Sequence, residues 1–242
     1  MKTRGIEASR AAAAEPAGSV GATAPGPGRR DGEEENVGRP VRARLSTAAI
    51  ADAAVELIDS GQPFGLNAVA RRLGVKPPSL YNHVDGVDEI IELVRGRLAA
   101  QYLAEAGTDA EWGEVLESMI RAERRMYTEH PHVVPLIATS TVRDEGVIRS
   151  YDLKATHLVR AGFPESEVLV LVQLLDAFAL GSGLDYAAPD AVWEPSGPTK
   201  TLGRLLGAGP PGRVRNEQAF EVGLGILMDG LRERLARHVA DA

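Results

Sequence analysis

"VKPPSLYNHV", residues 75–84, places two prolines ahead of Leu80 and Val84, which stand four apart as they would on one face of a helix. Around them come Ser79, Tyr81, Asn82 and His83, with Lys76 supplying the fixed charge. Proline suits the first turn of a helix, because the amide it lacks would be unpaired there. The stretch therefore reads as a short helix with Leu80 and Val84 turned to a core and uncharged hydrogen-bonding groups turned outward. Ahead of it, "LNAVARRLG" puts Leu66, Val69, Ala70 and Leu73 on one face and stops at Gly74. Two short helices joined by Gly74, Val75 and Lys76 have the form of a helix-turn-helix, whose second helix lies in the major groove while the first crosses the phosphate backbone. Base edges are read by hydrogen bonds and apolar contacts, whereas flanking charge supplies affinity, so an uncharged outward row suits reading. From spacing alone, an amphipathic hairpin within an all-α protein fits equally well.

Working outward, Ser46 or Thr47 is positioned to cap a helix in which Ile50, Ala54, Leu57 and Ile58 recur at helical spacing and which Gly61 and Pro63 end. "GVDEIIELVRGRLAAQYL" follows the hairpin, with Ile90, Val94, Leu98 and Tyr102 spaced by four. Helical patterns recur at about 110–129 (Trp112, Val115, Leu116, Met119), 144–161 and 165–184, the last apolar nearly all round and so expected to be buried on more than one side. Residues 185–212 carry five prolines and read as one long loop. A final helix at about 214–238 aligns Phe220, Leu224, Leu227, Leu231 and Leu235. No segment reads as a strand, so the expected fold class is all-α.

Residues 1–40 are rich in Ala, Gly, Pro and Glu and nearly lack large apolar side chains, so they read as a disordered tail. The chain has no cysteine, which excludes disulfides, zinc ribbons and thiol catalysis and is compatible with the cytosol. Neither an apolar run of the roughly 20 residues a membrane span needs nor a leucine-rich leader is evident, so the expected location is cytoplasmic, with no membrane partner. The net charge of −7 is unevenly placed: five Lys and Arg face four Asp and Glu over 41–86, but sixteen face twenty-four over 87–242. A globally acidic chain is repelled by nucleic acid at long range, which confines any DNA contact to the neutral or basic end.

Residues 47–102 resemble the DNA-binding domain of the tetracycline-repressor (TetR) family: "AAIADAAVELI", then "NAVARRLGV", "PPSLYNHV" and "DGVDEII", in that order and with that turn length. "AFEVGLGILMDGLRERL" is similar to the last helix of the family's C-terminal domain. The resemblance implies an N-terminal helix-turn-helix domain over 41–90 and a helical ligand-binding and dimerisation domain over 91–242. It implies phosphate contacts by Thr47 and Tyr81, a phosphate or base contact by His83, groove contacts by Pro77, Pro78, Ser79 and Asn82, and backbone charge from Lys76. Three positions depart from the pattern: Gly65 where Ser or Thr caps the second helix, Asn67 where Arg is common, and Val87 where Lys binds phosphate. Arg42 and Arg44, just ahead of the first helix, are placed to compensate, and Asn67 stays among the DNA-facing candidates.

The function implied is a ligand-responsive transcriptional regulator, a repressor that binds a palindromic double-stranded operator as a homodimer and is released by a small lipophilic effector; an activator shares the fold. The effector site is expected among Trp112, Met119, Tyr127, His132, Tyr151, Phe178 and Trp193, with Gln173 and Asp176 as polar groups in an apolar helix. Gly223, Gly225 and Gly230 are expected to let a partner helix approach. The alternative is an all-α small-molecule-binding protein or enzyme that uses the hairpin structurally, but no nucleophile and base are identified by spacing, so no catalytic residue is assigned. "GAGPPG" at 207–212 matches a dinucleotide-binding pattern formally, yet no strand precedes it and prolines occupy the turn, so no cofactor is expected. His130 and His132 flank Pro131 without a third ligand, so a helix-end or pocket-lining role is expected and no metal is assigned.

Overall fold

Ser46 caps the first helix: its Oγ accepts from the Ala49 amide at 3.2 Å, and α1 (Thr47–Asp59) runs until Gly61, whose φ of 66° turns the chain away. The computed structural model describes residues 45–103, 110–197 and 199–241. The N-terminal tail over 1–40 and the two cations Arg42 and Arg44 lie outside the described residues. After α1 come α2 (Leu66–Arg72), α3 (Pro77–Leu80), α4 (Val87–Tyr102), α5 (Trp112–Glu129), α6 (Val134–Ile137), α7 (Glu145–Ala161), α8 (Glu165–Tyr186), α9 (Lys200–Ala208) and α10 (Gly212–Asp241). Among the described residues there is no strand, and the architecture is all-α.

The first four helices close around one apolar cluster. Ile50, Ala54, Leu57 and Ile58 of α1 meet Val69 and Ala70 of α2, Leu80 and Val84 at α3, and Ile90 and Val94 of α4. Leu80 is fully enclosed, and burying a side chain of that size stabilises the fold by roughly 1.5–3 kcal/mol. Beyond this head, α4 continues against α5 and α7, and α5 makes its broadest contact with α8. Gly183 explains that close crossing, because a Cβ there would lie 2.4 Å from the Tyr127 Cβ. Along α10 the seam is Phe220, Leu224, Met228 and Leu231, all buried, with Leu227 and Leu235 at its margins.

Three expectations are corrected. Residues 185–212 are not one loop: α9 forms over Lys200–Ala208, and α10 begins at Gly212 rather than near 214. Between its prolines the segment holds Lys200 to Ala208, long enough for two turns with Leu202 and Leu205 on the surface. The short α6 was also unexpected, since four residues are too few to show a period. Finally, α8 is long and apolar enough to cross a membrane by length and composition, with mean hydropathy 1.6. Gln173 and Asp176 interrupt the apolar letters without lowering that mean much. In the fold α8 packs against α5, α6, α7 and α10 and buries Val168, Leu171, Val172, Leu175 and Ala179.

Candidate nucleic-acid interface and effector cavity

The turn between α2 and α3 depends on Gly74, which sits at φ 66° and so in the left-handed region that side chains disfavour. Its amide donates to Arg71 O at 3.2 Å, and the Val75 amide donates to Ala70 O at 3.0 Å, folding the chain back on α2. Past Leu80 the backbone continues in turns, with the His83 amide donating to Leu80 O at 2.8 Å and the Val84 amide at 3.0 Å. Leu80 and Val84 are buried, while Tyr81 is 57% exposed. Lys76, Pro78 and Asn82 are exposed and Pro77, Ser79 and His83 are half-buried. All seven candidates of this stretch thus share the outer side of one short element. Thr47 and Asn67 are exposed in the first turns of α1 and α2. Gly65 caps α2 without a side-chain hydrogen bond. Arg71 was passed over by the sequence reading; it is exposed and forms no ion pair among the described residues, whereas its neighbour Arg72 is paired with Glu56.

Helix α4 leaves this head and is fastened to the α6–α7 segment by two buried charges. Arg95 Nη2 donates to Ile137 O at 2.9 Å and to Ser140 O at 3.1 Å. One turn earlier, Glu92 Oε1 accepts from the amides of Arg143 at 3.0 Å and Asp144 at 2.9 Å. Asp144 in turn caps α7, accepting from the Val147 amide at 3.0 Å. A second joint lies at the far ends of α1, α4 and α5. His130 Nδ1 is 2.7 Å from Asp59 Oδ2, its Nε2 is 3.1 Å from the Tyr102 hydroxyl, and that hydroxyl donates to Glu129. Burial, reinforced by Glu129, pushes the Tyr102 phenol up to about 12.

A cavity of about 550 Å³ opens between α4, α6, α7 and α8. Apolar walls come from Ile137, Val142, Ile148, Leu169, Val172 and Leu180. Arg95, Tyr127, Ser140, Tyr151, Gln173 and Asp176 supply its polar groups. Tyr151 donates to Asp176 Oδ1 at 2.9 Å. Behind that ring lies Lys154, its Nζ 5.0 Å from the Tyr151 centroid and hydrogen-bonded to Glu123, an ion pair wholly inside the protein. Burial raises the Tyr127 and Tyr151 phenols above their ordinary value, with the nearby carboxylates adding to it. Burial also pushes the Glu123 carboxyl up, and Lys154 opposes it.

Of the nine residues expected to hold an effector, Tyr127, Tyr151, Gln173 and Asp176 meet at this cavity, and five do not. Trp112 packs edge-on against Phe163 at 5.5 Å, and Phe178 stacks on Phe220 at 5.5 Å. Trp193 lies under the Arg215 guanidinium at 4.8 Å. His132 reaches Asp59 O at 3.2 Å beside α1, and Met119 faces a separate groove with Gly96, Leu103 and Leu153. Aromatic and soft residue type had singled these five out, but Trp112, Met119 and Phe178 pack elsewhere, and Trp193 and His132 are exposed away from the cavity. Arg95 and Ser140 were missed; Arg95, a cation within an apolar i, i+4 series of α4, was the available signal. His130 is the C-cap of α5.

The profile described as "Tetracyclin repressor-like, C-terminal domain" matches residues 105–235. An HTH-type transcriptional regulator of Saccharopolyspora erythraea is 23% identical over 151 residues, 62% of each chain. The HTH-type transcriptional repressor DrrR1 of Streptomyces coeruleorubidus is 25% identical over 142 residues, 57% of this chain and 52% of that one. The matches span between half and two thirds of those relatives. The crystal structure of the Streptomyces coelicolor TetR family protein ActR in complex with actinorhodin superimposes with a TM-score of 0.65 at 21% identity, covering 78% of this chain and 96% of that one, a likeness of fold. With more than half its length matched by that profile, this chain belongs to the tetracycline-repressor family.

Proposed function

We propose that the protein is a ligand-responsive transcriptional regulator in the cytoplasm that binds a palindromic operator as a homodimer and is released by a small molecule entering the α4–α8 cavity. Residues 41–90 form the reading domain in this proposal, and 91–242 bind the effector and the second subunit. The outward row on α3 and the turns just after it carries the reading: Ser79, Tyr81, Asn82 and His83 stand out from a head whose Leu80 and Val84 are buried. Asn82 presents an amide suited to a base edge, while Lys76, Tyr81 and Thr47 hold phosphates, with Arg71 as a further cation. DrrR1 is named a repressor, and the ActR structure contains actinorhodin; both support the repressor and effector parts of the proposal.

The second subunit is placed on α8 and α10. Val170 and Leu174 of α8, and Val222 and Ile226 of α10, are exposed large apolar side chains, more than a lone surface scatters without a partner. Gly225 and Gly230 have open space where a Cβ would stand, which admits a neighbouring helix, whereas Gly223 meets Phe178 of its own chain at 2.8 Å and serves the α8–α10 contact instead.

Fluorescence anisotropy with duplexes from the DNA upstream of the gene, across a salt series, tests the reading. Asn82→Ala is expected to relax the preference for one base pair per half-site, at about 1–3 kcal/mol, with the salt slope kept. Lys76→Ala is expected to weaken all sequences together and to flatten the slope by about one unit. If Asn82→Ala weakens every sequence equally, the row is not the reading face.

A further inference from the structure

The charges around the α4–α8 cavity do not balance. Arg95 has Glu92 3.5 Å from its Nε and spends its Nη2 on Ile137 and Ser140. Lys154 is occupied by Glu123. Asp176 lines the cavity with no ion pair among the described residues, and its Oδ1 takes only the Tyr151 hydroxyl. Glu123, 4% exposed, leaves Oε2 without a hydrogen-bond partner, an acceptor behind the same wall. Counting Glu92, Glu123 and Asp176 against Arg95 and Lys154, the wall and the residues behind it carry one carboxylate in excess, and the mouth is apolar, with Ile148 and Leu169 both exposed there.

A second observation points to a ligand. Tyr127 lines the cavity, and its hydroxyl enters no hydrogen bond among the described residues, so its donor is open to what fills the space. What fills the space has to meet a phenol and a carboxylate together. A neutral apolar molecule would strip water from Asp176 and return nothing, and an anionic one would add a like charge. An ammonium restores the balance and forms a charge-assisted hydrogen bond.

We infer that the effector is an amine: an ammonium held by Asp176, on a ring body packed between Tyr127, Tyr151 and Val172, with a carbonyl or hydroxyl meeting the Tyr127 phenol. The inference rests on the proposal that this cavity is the effector site. It narrows the expected lipophilic ligand to a cationic one. Gln173, exposed at the rim, and Ser140 supply further hydrogen bonds at the edge of the ring body.

Calorimetric titration of the full chain with naphthylmethylamine, naphthylmethanol and naphthoate tests it, since the three share a ring and differ in charge. The amine is expected to bind about tenfold or more tighter than the alcohol, because a hydrogen bond between charged groups outweighs a neutral one, and naphthoate weakest. Asp176→Asn is expected to bring amine and alcohol within about threefold of each other. Tyr151→Phe is expected to keep the preference, so the test survives if the Asn variant fails to fold. An alcohol or acid that matches the amine on the native chain, no detectable amine binding, or a preference that persists in a folded Asp176→Asn overturns the inference. Operator anisotropy is run in parallel. Failure of the ligand-free chain to bind operator, with the amine preference intact, sinks the regulator reading and leaves the ligand class standing; operator binding without that preference overturns the ligand class alone.

Discussion

Lys154 is wholly enclosed, and its carboxylate partner Glu123 is 4% exposed. Two charges removed from water cost several kcal/mol each, which their attraction repays only with good geometry. The pair is therefore weak evidence of stability and strong evidence of dependence of each member on the other. Lys154→Met is expected to cost about 3–5 kcal/mol in urea unfolding, and the double change Glu123→Leu with Lys154→Met to recover most of it. The sign of the pH effect follows from the carboxyl. With Lys154 gone, burial and the nearby Asp176 charge act together on Glu123 and hold its folded-state pKa above the unfolded value. Below the unfolded value the carboxyl is neutral in both states, and stability is lost as pH rises through the folded value. The deficit of Lys154→Met should then be smaller at about pH 5 than at about pH 8. Equal deficits at both would mean that Glu123 is not the group left unpaired.

In the proposed regulator, helix α4 ties reading to sensing. Its Ile90 and Val94 belong to the apolar cluster under α3, and Glu92 and Arg95, near its middle, fasten it to the α6–α7 segment that walls the cavity. Gly96 brings that segment close: a Cβ there would fall 2.2 Å from Asp144 Oδ2, the cap of α7. Any ligand that shifts Ile137, Ala138 or Val142 therefore works against α4 through fixed hydrogen bonds rather than loose packing. Glu92→Ala removes the acceptor for two amides at the start of α7. Coupling between ligand and DNA sites is typically about 1–3 kcal/mol, and Glu92→Ala is expected to erase at least about half of it. The measurement is operator affinity with and without a bound amine, in native and variant chains; undiminished release by the ligand would remove Glu92 from the path.

At the scale of the molecule, acid and apolar surface are both distributed to a purpose. The excess of Asp and Glu lies in residues 87–242, so in the proposed regulator long-range repulsion keeps that part off DNA and leaves the contact to the near-neutral head. Two heads bound together hold an operator far more tightly than one, since the second contact becomes intramolecular. Ile226 is 69% exposed on α10, so Ile226→Glu should change the stability of one chain by no more than about 0.5 kcal/mol. In the proposed dimer it places a charge in the seam. Sedimentation is expected to show a monomer at micromolar concentration, with operator affinity down by about a hundredfold or more. A dimer that survives Ile226→Glu with full DNA affinity would place the second subunit elsewhere.

The helices, the outward-facing row after Gly74 and the family were legible because their causes are local. A hydrophobic repeat, a cap such as Ser46, a left-handed turn at Gly74 and a proline at the start of α3 act within about four residues of one another. Sequence order therefore carries them, and Leu80 and Val84 are buried as their spacing implies. The cavity has no such local cause. It joins Tyr151 to Asp176 across 25 positions, Glu123 to Lys154 across 31 and Arg95 to Ile137 across 42. Only the packing of α4, α5, α7 and α8 decides which of many polar residues meet there, and which aromatic ones, like Trp112 and Phe178, are spent in the core. Residue type nominated the candidates, and the crossing of α5 and α8 at Gly183 helped choose among them, because an approach that close is set by the partner helix and not by the chain on either side.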